Sequence, residues 1–314
     1  MNGLFLGIDG GGTYTRAAIA DAQGNLFSSV KREGGAFLAK NPNARENVSR
    51  AVREATNRAG CGLGDITALA AGVAGYDKRR DLRWVRKLME IDGLACVKEH
   101  INDAVIAVRG AFLLQPGIAA IGGTGSIIVG MTEKGKFIRN YDFRHHANVS
   151  ATMLSYTSVK KIIKGEADGS DQDLVSAVLQ GLGAEEISHI KPLKEYSLKD
   201  FSDLGPAVTQ AALHGSHIAE EVCARAAREV VEGIRLVDKR FQSRPIPVAL
   251  VGSSINSAYV KNAITELLLE DPGYILREPA LPPVLGAILM AMRLREINID
   301  ERIISNLRKG AEEI

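Results

Sequence analysis

The feature that most constrains this chain is a match of the sequence to itself. LGIDGGGTYTRAAIADAQGNLF (Leu6–Phe27) overlays GIAAIGGTGSIIVGMTEKGKFI (Gly117–Ile138) at an offset of 111 residues. Gly11, Gly12, Thr13 and Gly24 fall on Gly122, Gly123, Thr124 and Gly135, and Thr15 falls on Ser126. Each copy reads as a strand, a Gly-Gly-Thr turn, a second strand, and a glycine-containing turn (AQGN, EKGK) into a third strand. Two copies of one such unit predict two similar domains facing each other. At 314 residues the chain also exceeds the roughly 250–300 residues at which one core usually splits.

Helical and strand signals alternate around the copies. Residues 47–59 are amphipathic with mixed charge, and DITALAAGVAG (Asp65–Gly75) reads as a buried strand ending in glycine. Residues 81–89 read as helical, and INDAVIAVRGAFL (Ile101–Leu113) resembles a helix with Asn102 near its N-cap. A helical region follows from Thr152, then a polar stretch (EADGSDQD), a long helix from His217 to about Phe241, and a strand at Pro247–Gly252. LPPVLGAILMAMRL starts a helix after two prolines. The pattern predicts an α/β fold, sheets covered by helices, with domains at 1–113 and 114–314 around a cleft. The final helix is a candidate to pack back on the first domain.

Composition closes off several functions. Lys and Arg (39) nearly balance Asp and Glu (37), so no global field recruits nucleic acid or an anionic membrane. Cys61, Cys96 and Cys223 form no CxxC pair, which argues against a disulfide framework, a zinc site or an iron–sulfur cluster within one chain. The longest apolar run, Gly117–Met131, is interrupted and too short for a span. The opening MNGLFLGIDGGG has no basic stretch and meets Asp9 before a signal core forms. The expectation is a cytoplasmic protein.

Three chemistries use glycine-rich turns. A P-loop needs GxxxxGK[ST], and no Gly-Lys-Ser/Thr occurs. A dinucleotide fingerprint needs GxGxxG opening a helix, whereas Gly10-x-Gly12-x-x-Thr15 leads into a hairpin. A β-hairpin phosphate clamp remains: backbone N–H groups form an anion-binding concavity, glycine lets the phosphate approach, and a Thr hydroxyl adds a hydrogen bond. The copies differ at one telling position, Asp9 against Ala120. Nucleotide triphosphates arrive with Mg²⁺, which takes one or two carboxylates, and Asp9 suits that role. Capping its own turn is the alternative for Asp9.

These residues resemble the actin-like ATPase and sugar kinase superfamily, within it the group joining N-acetylglucosamine kinases with BadF-type ATPases. IDGGGTYTR is similar to that group's first phosphate motif and IGGTGS to its second. VGSSINS (Val251–Ser257) is similar to its adenosine motif, PPVLGAILMA (Pro282–Ala291) to its C-terminal helix signature, and VKEHINDA (Val97–Ala104) to the segment holding its catalytic Asp. The resemblance implies two actin-like ATPase (ribonuclease H-like) domains facing an interdomain cleft that holds Mg·ATP and closes on the acceptor. It implies phosphate contacts from Gly11, Gly12, Thr13, Gly123 and Thr124, nucleotide contacts from Ser253 and Ser257, and Asp103 as general base. Asp103 and Ser126 are the candidates for acceptor contact. A helix-start Asp favouring the dipole is the alternative for Asp103.

The acceptor side departs from the pattern. N-acetylglucosamine kinases carry Gly-Gly-Trp-Gly and an acidic turn where this chain has NYDFRHHANVSATMLSYTSVKK (Asn140–Lys161). Its only Trp, Trp84, lies elsewhere, and Phe37 stands where the family has Asn. GVAGYD (Gly72–Asp77) keeps the form of a further substrate loop. Arg144, His145, His146 and Asn148, with Tyr141 and Phe143, either meet an anionic or bulkier acceptor or form a solvated loop. His214 and His217 read as surface residues.

The leading expectation is an ATP-dependent kinase of a sugar hydroxyl. Second is an ATPase that drives a partner, as activators of radical dehydratases do, although the three cysteines lie outside the contexts that a shared cluster needs. Third is a nucleotide-binding regulator without phosphotransfer. A homodimer is the default oligomer.

Overall fold

A computed structural model describes residues 3–36 and 41–313; Phe37 lies outside the described residues. In chain order the elements are β1 (Leu4–Gly10), β2 (Tyr14–Ala20), β3 (Leu26–Glu33), α1 (Ala44–Arg58), β4 (Ile66–Val73), α2 (Leu82–Leu88), β5 (Val97–Asn102) and α3 (Asp103–Ala111). There follow β6 (Gly117–Gly122), β7 (Ser126–Met131), β8 (Phe137–Arg139), α4 (Ala151–Ile163), α5 (Gln172–Leu182), α6 (Leu198–Leu213) and α7 (His217–Asp238). The chain ends with β9 (Ile246–Val251), α8 (Ala258–Leu269), β10 (Tyr274–Leu276), α9 (Pro283–Arg293) and α10 (Glu301–Glu313). It divides into two compact units, Met1–Gln115 with Glu278–Ile314, and Pro116–Arg277.

The first unit is built on a five-stranded sheet of order β3-β2-β1-β4-β5. β1 pairs antiparallel with β2 and parallel with β4, and β4 is parallel to β5. Side chains of β1 alternate with period two. Leu6 and Ile8 bury against Val48, Ala51 and Val52 of α1, while Phe5 joins Val284, Leu285 and Ile288 of α9 on the other face. That second face is why the chain returns to this unit after Arg277: without α9 and the Ile303 and Leu307 side chains of α10, Phe5, Ala68 and Ala70 would face water. Close approach is written into the glycines. A Cβ on Gly7 would lie 2.4 Å from the Val284 carbonyl, and one on Gly286 would lie 2.2 Å from the Ile106 carbonyl of α3.

The second unit repeats the plan. Its sheet runs β10-β9-β6-β7-β8, with the same parallel and antiparallel relations in the same places. The repeat found in sequence is therefore a repeat of topology. The hairpins differ in one respect. Thr15 pairs with Gly10, leaving residues 11–14 without a partner across the first hairpin, whereas Ser126 pairs with Gly122 and leaves residues 123–125 so in the second. Between the third and fourth strands, among the described residues, the first unit has α1 as its one α-helix and the second has α4 to α7. α5 and α6, α8 and α10 have no counterpart in the sequence-based expectations. The helix expected from Ile101 starts at Asp103, because residues 97–102 form an edge strand. Among the described residues no helix is long and apolar enough to cross a membrane.

Candidate phosphate turns and catalytic carboxylates

In the first unit the Gly-Gly-Thr turn is braced from one side. The Gly34 amide donates to Thr13 O (3.0 Å), the Ala36 amide to Gly11 O (3.0 Å), and Thr15 Oγ1 to Gly34 O (2.8 Å). A Cβ on Gly35 would sit 2.0 Å from Gly12 O, so the brace itself needs glycine. Gly12 is different. It is exposed, and a Cβ there would meet nothing within 4 Å. The fold does not demand glycine at 12, and the backbone there stands open to close approach.

The carboxyl ends of the parallel strands carry the acidic groups, the end where open α/β sheets place their ligands. Register aligns Asp9 with Gly72 and Ile101, and Gly10 with Val73 and Asn102. Asp103 follows as the first residue of α3. A Cβ on Gly72 would lie 3.1 Å from Asp103 Cα; its absence lets the helix start settle on the sheet. Asp9 is only 7% exposed and pairs with Arg16, whose Nη1 donates to Oδ2 at 3.1 Å. Burial lifts the Asp9 carboxyl above the ordinary range and Arg16 opposes that lift. Asp103 is pushed up to about 7 by burial and then by the Asp9 charge, with the Ala104 amide pulling the other way and Asp77 adding to the rise. A carboxylate poised near neutrality is suited to general-base work.

In the second unit two motifs fold onto each other. Gly122 O accepts from the Ser254 amide (3.1 Å) and the Ile255 amide (3.3 Å). Gly252 has φ +107°, and a Cβ on it would lie 2.4 Å from Gly122 O. The Val251–Ser257 segment thus closes against the second Gly-Gly-Thr turn. That turn is held by Ala151 N to Gly123 O (2.8 Å) and Thr152 Oγ1 to Thr124 O (3.0 Å). Gly123 and Gly125, like Gly12, could carry a Cβ in open space. Ser253 is exposed. Ser257 Oγ donates to Ser254 O at 2.7 Å, and Ser126 Oγ donates to Ala147 O, so both hydroxyl hydrogens are used within the unit.

Residues 140–161 are ordered by their own polar contacts. Asn140 is fully buried, accepting from Ile128 N (3.1 Å) and donating to His145 O (3.1 Å). Asn148 donates twice to Glu229 Oε2, at 2.9 Å each. Ser150 caps α4. Arg144 and His146 are exposed, the latter tilted against Tyr141 at 5.1 Å. His214 and His217 are exposed. His217 lies near Asp168 and Asp171, where buried Asp171 accepts from Ser216 Oγ (2.6 Å), Ile218 N (3.0 Å) and Asp168 N (3.0 Å) and so fixes the start of α7. The cysteines are free thiols, and burial pushes Cys223 up to about 12.

The sequence profile of the BadF/BadG/BcrA/BcrD ATPase family matches residues 6–291. The chain belongs to this family. The N-acetylmuramic acid/N-acetylglucosamine kinase of Clostridium acetobutylicum is 25% identical to it over 266 residues, 80% of this chain and 85% of that one. The N-acetyl-D-glucosamine kinase of Dictyostelium discoideum is 23% identical over 315 residues, 93% and 99% of the two chains. A solved Chromobacterium violaceum protein, described as a candidate N-acetylglucosamine kinase, aligns with a TM-score of 0.75 at 21% identity, covering 92% of this chain and 98% of that one. The shared fold is the actin-like ATPase fold. Each sheet, with its antiparallel β-meander followed by two parallel strands, is one ribonuclease H-like unit of this family member.

Two features of the first-unit site escaped the sequence reading, the role of Arg16 and the bonds of Asn102 Nδ2 to Tyr76 O and Asp77 Oδ1. Arg16 is visible in hindsight: a hairpin that pairs Gly10 with Thr15 must pair position 9 with position 16.

Proposed function

We propose that this chain is an ATP-dependent phosphotransferase acting on the hydroxyl of an amino sugar, with N-acetylglucosamine and glucosamine the first acceptors to test. The observation that carries the proposal is Asp103. It stands one residue past the end of β5, beside Asp9, with its carboxyl raised into the neutral range. The relatives named above, which cover most of the chain, support the amino-sugar class.

In this reading Gly11, Gly12 and Thr13 of one unit, and Gly123 and Thr124 of the other, contact the phosphates of ATP. The open space over Gly12 and Gly123 supports close backbone approach. Ser253 and Ser257 border the nucleoside. Ser126 contacts the acceptor through its remaining hydroxyl lone pairs. Asp103 removes the proton from the acceptor hydroxyl as that oxygen bonds to the γ-phosphorus and the bond to the β-phosphate oxygen breaks, leaving ADP.

The donor set fits Mg²⁺. Asp9 offers a hard carboxylate, and its Oδ1 accepts no hydrogen bond among the described residues while Oδ2 is held by Arg16. Bound there with ATP, the ion would neutralise phosphate charge. The protein is proposed to act in the cytoplasm, as a homodimer.

ADP release from Mg·ATP, measured with hexoses, hexosamines and N-acetylhexosamines beside a no-acceptor blank and an Asp103→Asn protein, tests the proposal. An acceptor-dependent signal lost in the variant is expected. ATP binding with a flat panel would overturn it.

A further inference from the structure

Asn102 uses its side chain completely. It ends β5 in extended conformation (φ −69°, ψ 144°) and caps α3, its Oδ1 accepting from the Ala104 amide at 2.9 Å. The two Nδ2 hydrogens go elsewhere, to Tyr76 O at 3.2 Å and to Asp77 Oδ1 at 3.2 Å. An amide side chain has two such hydrogens, so none is left for a ligand. Tyr76 and Asp77 close the loop that leaves β4, a loop turned by Gly75 at φ +78° and tied to β1 by Ala74 N to Gly10 O at 2.8 Å. One side chain therefore holds the start of the helix that carries Asp103 and the end of the 74–77 loop.

We propose that Asn102 is a positioning residue that locks the 74–77 loop to the start of α3, so that the loop and Asp103 keep one fixed relation during phosphotransfer. The inference rests on the proposed kinase reading and deepens it: Asn102 sets acceptor alignment without touching the acceptor. The residue type matters for a stated reason. Ser at 102 would keep the cap and lose both donors. Asp would keep shape and cap but would point an acceptor at two acceptors, Tyr76 O and the Asp77 carboxylate.

The experiment compares wild type, Asn102→Ser, Asn102→Asp, Asp77→Ala and the double variant Asn102→Ser/Asp77→Ala. Hydrogen exchange comes first, because it needs no acceptor. In Asn102→Ser the Tyr76 and Asp77 amides, bonded in the wild type to Val73 O and the Asp81 carboxylate, should exchange about tenfold faster while the α3 amides stay protected. Kinetics follow with N-acetylglucosamine and glucosamine as probes. Asn102→Ser should lose about tenfold or more in kcat/KM for the sugar with KM for ATP unchanged, and Asn102→Asp should lose more. The double variant should be no worse than the poorer single one, as two ends of one contact require. Unchanged loop exchange, multiplicative losses, or a loss confined to ATP KM would each overturn the lock. If wild type phosphorylates neither sugar, the kinase reading fails and loop exchange alone decides the lock.

Discussion

Asp9 on β1 and Arg16 on β2 occupy paired positions across one hairpin, and the Arg16 guanidinium reaches the Asp9 carboxylate at 3.1 Å. The pair places a nearly buried negative charge at the strand end from which Asp103 senses it. It links local hairpin geometry to the protonation of the proposed base.

Replacing Arg16 with Met should therefore destabilise the protein. Removing one partner of a buried pair costs about 3–5 kcal/mol. The Arg16 side chain is 36% exposed, so solvent already screens part of the interaction, and about 1–2 kcal/mol is the expected loss. Urea unfolding at pH 7 measures it, and adding Asp9→Asn should recover part of the loss. An Arg16→Met protein as stable as wild type would show that the pair contributes nothing.

Asp103 should make stability and activity respond to pH in opposite directions. Its folded value of about 7 lies above the ordinary 3.8, so its contribution to stability is full below about pH 4 and is lost as pH rises through 7. A base must be deprotonated, so acceptor kcat/KM should rise over the same interval. Unfolding of wild type and Asp103→Asn between pH 4.5 and 8.5 isolates the group, since the Asn protein keeps Asp9 and loses only this titration. Parallel curves for the two proteins would remove Asp103 as the titrating group.

Asp103→Asn should lower turnover by about 10²–10⁴ while leaving ATP affinity nearly intact. The substitution removes a like-charge neighbour of Asp9, so thermal stability at pH 8 should not fall. A variant with more than a tenth of wild-type turnover would disqualify Asp103 as the base.

Gly12→Ala and Gly35→Ala should fail differently. The first adds a methyl into open space, the second drives one to 2.0 Å from Gly12 O. Gly12→Ala should keep its melting temperature and raise KM for ATP about tenfold or more, because the methyl occupies the phosphate's approach. Gly35→Ala should lose stability first. Equal ATP affinity in Gly12→Ala and wild type would argue against phosphate contact at that turn.

Gly286→Ala tests the return of the chain to the first unit. Its Cβ would lie 2.2 Å from Ile106 O and 2.6 Å from Gly110 N, an overpacking expected to cost about 1–3 kcal/mol. Calorimetry should show the loss; a neutral result would mean that α3 and α9 can separate freely.

Much was legible in the sequence because it is written locally. The Gly-Gly-Thr turns, the strand alternation around them and the Asn102 cap depend on residues within a few positions of one another, and the repeat at 111 residues announced one topology used twice. The motif order pointed to the family. The tertiary structure decided what local pattern cannot carry. Edge strands such as β5 are too polar to stand out, and β10 is only three residues long. Register, which depends on how a hairpin closes, paired Asp9 with Arg16 and set the second turn one residue tighter than the first. The polar segment at 140–161 is held by Asn140 and Glu229, partners 12 and 81 residues from the groups they bind. Burial, finally, belongs to the packed sheet and not to any single residue, and together with the Asp9 and Asp77 charges it turns Asp103 from an ordinary helix-start aspartate into a carboxyl near neutrality.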